Sequence, residues 1–195
     1  MPKLKCCLDL DGVLADIHRG IAEAFGVPNE WKVKGEWRFS VGLEIPEPWW
    51  KPCNYAFWAN AHKTPWADDI VKMILAYFDP KEICICTSLP TSKGDFPMDR
   101  VGESVAGKID WLQKHYPLLA PQFLIGPAKH FCAGPNKILV DDSDDNVKEF
   151  ISEGGAAITF PRLWNLLHSH ADAPVTYLSF QLASISAQFK KLGRD

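Results

Sequence analysis

Lys5-Cys6-Cys7-Leu8-Asp9-Leu10-Asp11-Gly12-Val13-Leu14-Ala15-Asp16 is the stretch on which the fold turns. It opens apolar and ends in carboxylates and a glycine. A short apolar run broken by Asp and Gly is the pattern of a central parallel strand that delivers polar groups at its C-terminal end. Asp9 and Asp11 are two residues apart, so on an extended backbone their side chains point the same way. Gly12 lets the chain turn sharply behind them. Two neighbouring anions repel each other unless a cation lies between them. Mg²⁺ suits the pair because it takes hard oxygen ligands.

Composition bounds the rest. The 195 residues fit one domain, or one domain carrying an inserted cap. A hydrophobic share of 47% supports a real core, and 23% charged residues keep the surface wet. The net charge of −3, without a long basic run, argues against a duplex-DNA or duplex-RNA partner. No run approaches the ~20 apolar residues that span a bilayer, so no membrane partner is expected. Asp9 already belongs to the first motif, so no secretory leader is expected. The six cysteines have no paired CxxC spacing. Cys6, Cys7, Cys84 and Cys86 fall on apparent buried strands as reduced, small apolar residues, which points to a cytoplasmic location.

Downstream of Asp16 the spacing predicts a helix to Phe25, with Ile17, Ile21 and Ala24 or Phe25 on one face and Gly26 as its stop. From about residue 27 to 65 the character changes. Trp31, Trp37, Phe39, Trp49, Trp50, Tyr55, Phe57, Trp58 and Trp66 crowd here, and Pro46, Pro48 and Pro52 exclude one long helix. Residues 17–65 therefore read as a small, mainly helical cap between 1–16 and 66–195. Its rings can form the cap's own core or serve as stacking platforms. Phe57 and Trp58 immediately precede the return to the main domain and are placed over the Asp9 pocket.

An amphipathic helix is expected over 65–78, with Ile70, Met73, Ile74 and Tyr77 buried. Glu82-Ile83-Cys84-Ile85-Cys86-Thr87-Ser88 is an apolar strand ending in hydroxyls, which suit either a helix cap or a phosphate oxygen. Residues 93–97 read as a loop and 101–116 as a helix ended before Pro117. Phe123-Leu124-Ile125 is a short strand, and Lys129 follows in a loop. Lys137-Ile138-Leu139-Val140-Asp141-Asp142 repeats the design of the Asp9 strand. Asp145 is placed as the cap of a helix over 146–153. Residues 156–160 form a last inner strand, and a final amphipathic helix runs over about 179–192. The alternation predicts an α/β chain with a Rossmann-like open parallel sheet. Ligands of such sheets lie outside the carboxyl ends of the strands.

With Asp-Leu-Asp-Gly-Val-Leu-Ala-Asp at 9–16, Cys-Thr-Ser at 86–88, Lys129 and Asp141-Asp142 in this order, the chain resembles the haloacid dehalogenase superfamily. Within it, the Phe57-Trp58 pair and the full first motif are most similar to the 5′(3′)-deoxyribonucleotidases. Ile17 departs from that family, which carries an aromatic there. The resemblance implies a Mg²⁺-dependent phosphomonoesterase in which Asp9 is the nucleophile and Asp11 the general acid/base. Asp9, the main-chain carbonyl of Asp11 and Asp142 would hold Mg²⁺, with Asp141 behind them. Thr87 and Ser88 would hold phosphate oxygens, and Phe57 and Trp58 would cover the base or sugar. Lys129 matches the family's phosphate-stabilising lysine. Lys108 is the second candidate, at an expected helix start and on its solvated surface. The implied partner is a small phosphate ester, a deoxyribonucleotide above all, and a homodimer is left open. Two alternatives stay open: a phosphatase for another small ester or a nucleic-acid 3′-phosphate, and a non-catalytic interaction module.

Overall fold

The computed structural model describes residues 3–89 and 97–191. Five parallel strands form one sheet: β1 (Lys5–Leu8), β2 (Ile83–Thr87), β3 (Phe123–Ile125), β4 (Lys137–Asp141) and β5 (Ala156–Thr159), in the order β3-β2-β1-β4-β5. β1 lies at the centre, with Cys7 in register between Cys84 of β2 and Leu139 of β4.

The strands read as apolar runs because both faces are covered. Alternation sends Cys6, Leu8, Ile83, Ile85, Ile138 and Val140 to the larger core. Cys7, Cys86 and Leu139 go to the other face, under Phe150. Against these faces pack α4 (Ala67–Tyr77), α5 (Val101–His115), α6 (Asp144–Ser152) and α7 (Pro174–Lys191). No helix among the described residues is long and apolar enough to cross a membrane.

Residues 17–65 leave and rejoin the sheet side by side. The Asp16 amide donates to the His62 carbonyl (2.7 Å), and the Thr64 hydroxyl donates to the Val13 carbonyl (2.7 Å). Between these ties lie α1 (Ile17–Phe25), α2 (Phe39–Gly42) and α3 (Tyr55–Ala59). Asp16 caps α1 and Gly26 closes it. Ile17, Ile21, Phe39, Leu43, Ile45, Cys53 and Trp58 form an apolar cluster of this segment's own, joined by Trp31, Trp49, Trp50 and Phe57. Most of the rings are thus packing. α3 sits on α5 at Gly107, where a Cβ would stand 2.6 Å from the Trp58 Cβ and 2.8 Å from the Tyr55 carbonyl oxygen. Only a residue without a side chain permits that approach.

Several boundaries differ from the sequence expectation. β5 is an edge strand, not an inner one; its short apolar run is explained by α7 packing over it. α6 begins at Asp144, and its cap is Ser143, whose hydroxyl accepts from the Asn146 amide. Asp145 instead lies in the first turn, where its charge complements the helix dipole. α7 begins at Pro174, because proline fits the first helical position. Cys84 is only partly buried. Of the expected loop over 93–97, residues 93–96 lie outside the described residues, as does Leu192 at the end of the last helix.

Candidate active site

The carboxyl ends of β1, β2 and β4 meet at one cavity of about 140 Å³. Asp9 follows β1, Thr87 ends β2, Asp141 ends β4 and Asp142 follows it. Carboxylate oxygens of Asp9, Asp141 and Asp142 lie within 4.8 Å of one another, and all three residues are buried. Such crowding is costly. Burial first and Asp141 second push the Asp9 carboxyl well above the usual range, against the pull of Lys129. The same two causes push Asp142 up to about 8, against Arg162, Lys129 and Trp164.

One cation already stands among these acids. Lys129, on a short 3₁₀ turn (Lys129–Cys132), places Nζ 2.7 Å from Asp9 Oδ1 and 2.6 Å from Asp141 Oδ2. Burial alone would lower this ammonium; Asp141 and Asp9 outweigh it and hold it above its ordinary value. Asp141 is fully engaged. Beside Lys129 it accepts from the Ser143 amide (2.9 Å) and from Asn146 Nδ2 (3.1 Å). It therefore orients its neighbours, while Asp9 and Asp142 line the cavity.

Asp11 faces a different partner. Its Oδ2 accepts from Lys108 Nζ (2.5 Å) and the Thr87 hydroxyl (3.2 Å), and its buried Oδ1 has no hydrogen-bond partner. Lys108 corrects the sequence expectation: it is mid-helix in α5 and only 1% exposed, not a solvated surface lysine at a helix start. The α5 face carrying Ser104, Gly107, Lys108 and Trp111 is the buried one. Lys108 runs along it and delivers its ammonium to Asp11, Thr87 (3.0 Å) and the Ser88 carbonyl (2.7 Å). Each of the two lysines thus pairs with a different aspartate, Lys129 with Asp9 and Lys108 with Asp11.

The paired aromatics separate. Trp58 lines the cavity, with Lys108 Nζ 4.7 Å from its ring centroid. Phe57 does not line it. Phe57 packs edge-on to Trp58 and toward Gly20, inside the cluster of the inserted segment. On a helix, adjacent residues point about 100° apart, so only one ring of the pair could face the cavity. Ser88 lines the cavity, whereas Thr87 sits behind Asp11.

Of the remaining lining residues, only His18 had no role in the sequence reading. Ile17, His18, Trp37, Phe39 and Trp49 build the apolar wall opposite the acids. The His18 ring stacks between Phe39 (4.7 Å) and Trp164 (3.5 Å), and burial pushes its imidazole well below the ordinary value. No local pattern marks His18, which lies within an ordinary amphipathic helix.

Arg162-Leu163-Trp164-Asn165 comes just after β5. It latches the site. Trp164 Nε1 donates to Asp142 Oδ2 (2.9 Å), and Asn165 Nδ2 donates to the carbonyls of Asp142 (2.9 Å) and Phe160 (2.8 Å). Arg162 donates to the Gly12 carbonyl (2.7 Å), its guanidinium over Trp66 and Trp164.

The donors fit a hard divalent cation. Asp9, Asp141 and Asp142 against Lys129 leave local charge unbalanced, and Asp9, Asp11 and Asp142 line the cavity. All are oxygen donors, the set that Mg²⁺ prefers over softer metals. The sequence matches no protein-family model and no curated protein.

Proposed function

We propose that this chain is a Mg²⁺-dependent phosphomonoesterase of the haloacid dehalogenase type, acting on nucleoside monophosphates as the 5′(3′)-deoxyribonucleotidases do. One observation carries the reading. Two separate carboxylates, Asp9 and Asp11, open on one cavity, and each is held by its own buried lysine. A nucleophile and a proton carrier need that kind of separation. Residues 17–65 serve as the cap, and the free thiols suit a reducing compartment such as the cytoplasm.

Asp9 Oδ1 accepts from the Leu10 amide (2.7 Å) and Lys129, which leaves Oδ2 for in-line attack on phosphorus. The ester bond to the leaving oxygen breaks as the Asp9–phosphorus bond forms. Asp11 hands a proton to that oxygen, then takes one from the water that hydrolyses the aspartyl-phosphate. Lys108 and Thr87 donate to Asp11 Oδ2 and so hold its carboxylate in place. Lys129 offsets the charge gathering on the phosphoryl oxygens. Asp9, Asp142 and the Asp11 carbonyl would hold Mg²⁺, whose charge favours ionised Asp9 and the approach of an anionic substrate. The wall of Trp58, Trp49, Phe39 and Trp37 suits a flat leaving group.

The test is phosphate release from a panel of 5′- and 3′-deoxyribonucleotides, sugar phosphates and 3′-phosphorylated oligonucleotides, with and without Mg²⁺. Nucleotide turnover that needs Mg²⁺ and disappears in Asp9→Asn is expected. Turnover that persists in Asp9→Asn, or none on any phosphate ester, would overturn the reading.

A further inference from the structure

A column of rings backs the cavity. Trp164, His18, Phe39 and Trp49 stack in that order, with centroids 3.5, 4.7 and 4.8 Å apart and planes within 25° of parallel. His18, Phe39 and Trp49 line the cavity. His18 is only 4% exposed, with Phe39 on one face and Trp164 on the other. Both faces are taken, so a ligand can reach this ring only at its edge. Burial and Arg162 push the imidazole well below its ordinary value, so at neutral pH the edge carries no charge. Its Nδ1 is buried and has no hydrogen-bond partner among the described residues. That leaves Nε2 for a ligand, and no partner behind the ring fixes which nitrogen holds the proton. Nε2 can therefore donate to a hydroxyl or accept from one.

The column has an acid end. Trp164 Nε1 donates to Asp142 Oδ2 (2.9 Å), so from the acids outward the order is Trp164, His18, Phe39, Trp49. A nucleoside monophosphate runs phosphate, sugar, base. We propose that His18 is a specificity-determining residue whose Nε2 hydrogen-bonds a free hydroxyl of the sugar that carries the phosphate, an inference that rests on the phosphomonoesterase reading. With the phosphate at Asp9 and Asp142, the sugar lies level with His18, and the base reaches Phe39 and Trp49.

Two other assignments of His18 fit less well. A neutral imidazole brings no charge to the phosphate, whereas Lys129 stands beside Asp9 with one. A base cannot stack on His18, because both ring faces are covered. A hydroxyl needs a single partner in the plane of the ring, which is what the edge offers. A sugar without that hydroxyl would still fill the cavity and exclude water, and would leave Nε2 unpaired. The unpaired nitrogen supplies the larger part of the discrimination.

The probes are the non-hydrolysable 5′-phosphonates of a deoxyribonucleoside and of the matching 2′,3′-dideoxynucleoside, titrated by calorimetry into the full chain with Mg²⁺. Wild type should bind the first about tenfold more tightly. His18→Phe keeps the column and removes both nitrogens. Its affinities for the two probes should agree within about twofold. Its melting temperature should not fall, since an unpartnered buried nitrogen is gone. His18→Leu removes the same nitrogens with a different shape and should lose the preference too. Wild-type protein that binds the two phosphonates equally, or binds neither, would overturn the proposal, as would a preference that survives in both variants. These titrations need no turnover. If no phosphate ester is hydrolysed and the preference still follows His18, the hydrolase reading fails and the sugar contact stands.

Discussion

A Cβ placed on Gly12 would stand 2.0 Å from Asp142 Oδ2, although the two residues are 130 positions apart. Gly12 also holds φ at +77°, in the region that side chains resist. The turn after the first motif and the last acid of the site therefore occupy one space. Gly12→Ala is expected to lose ~1–3 kcal/mol through backbone strain alone and to push Asp142 aside. Chemical denaturation will read the first effect, and the Mg²⁺ dependence of turnover the second.

The buried acids make the metal-free protein sensitive to alkali. Asp142 is raised to about 8, so its folded state holds a proton that the unfolded chain releases near pH 4. Stability from this group is complete below that lower pH and drains away as pH rises toward about 8. Thermal melts in EDTA should show that fall. Mg²⁺ should raise the melting temperature most at the alkaline end, and Asp142→Asn should flatten the slope.

The two buried lysines should fail differently. Lys129→Met strips Asp9 and Asp141 of their common cation, and an unpaired buried charge costs about 3–5 kcal/mol. Its melting temperature should fall sharply unless Mg²⁺ is added. Lys108→Met leaves the acid cluster intact and releases Asp11 from its anchor. Its kcat should drop about 10²-fold or more, the scale of a misaimed acid/base, with a smaller change in Mg²⁺ affinity. Steady-state kinetics and a Mg²⁺ titration separate the two.

Trp58 and Phe57 should also divide. Trp58→Ala removes a cavity wall, and stacking on one ring is worth ~1–3 kcal/mol. KM for a nucleotide should rise roughly tenfold, with little change for methyl phosphate. Phe57→Ala opens a void in the inserted segment instead, costing about 3–5 kcal/mol if the site cannot collapse. Its KM should stay near wild type at temperatures where it remains folded.

Trp164 reaches Asp142 by a single indole N–H. Trp164→Phe keeps the ring against His18 and removes that donor. Groups that orient a metal ligand typically contribute 10- to 100-fold in affinity. Calorimetric titration should show Mg²⁺ binding weakened by about that factor, with the melting temperature little altered in EDTA.

The order of strands and helices, and the identity of the acids at the strand ends, were already determined by the sequence. Period-two burial, apolar runs and the punctuation by Gly, Pro and Asp are local signals, and Asp9, Asp11, Asp141 and Asp142 fall where strands must end. What each group touches was decided by tertiary structure. Lys108 has the same local pattern as any helical lysine; only the docking of α5 at Gly107 turns it toward Asp11. Phe57 and Trp58 are equal in sequence, and helix rotation chose one of them. His18, Arg162 and Trp164 join the site because β5 lies beside β4 and returns the chain over Gly12. Local propensity acts over a few residues, whereas charge compensation and stacking act through space, and only the closed fold brings those partners together.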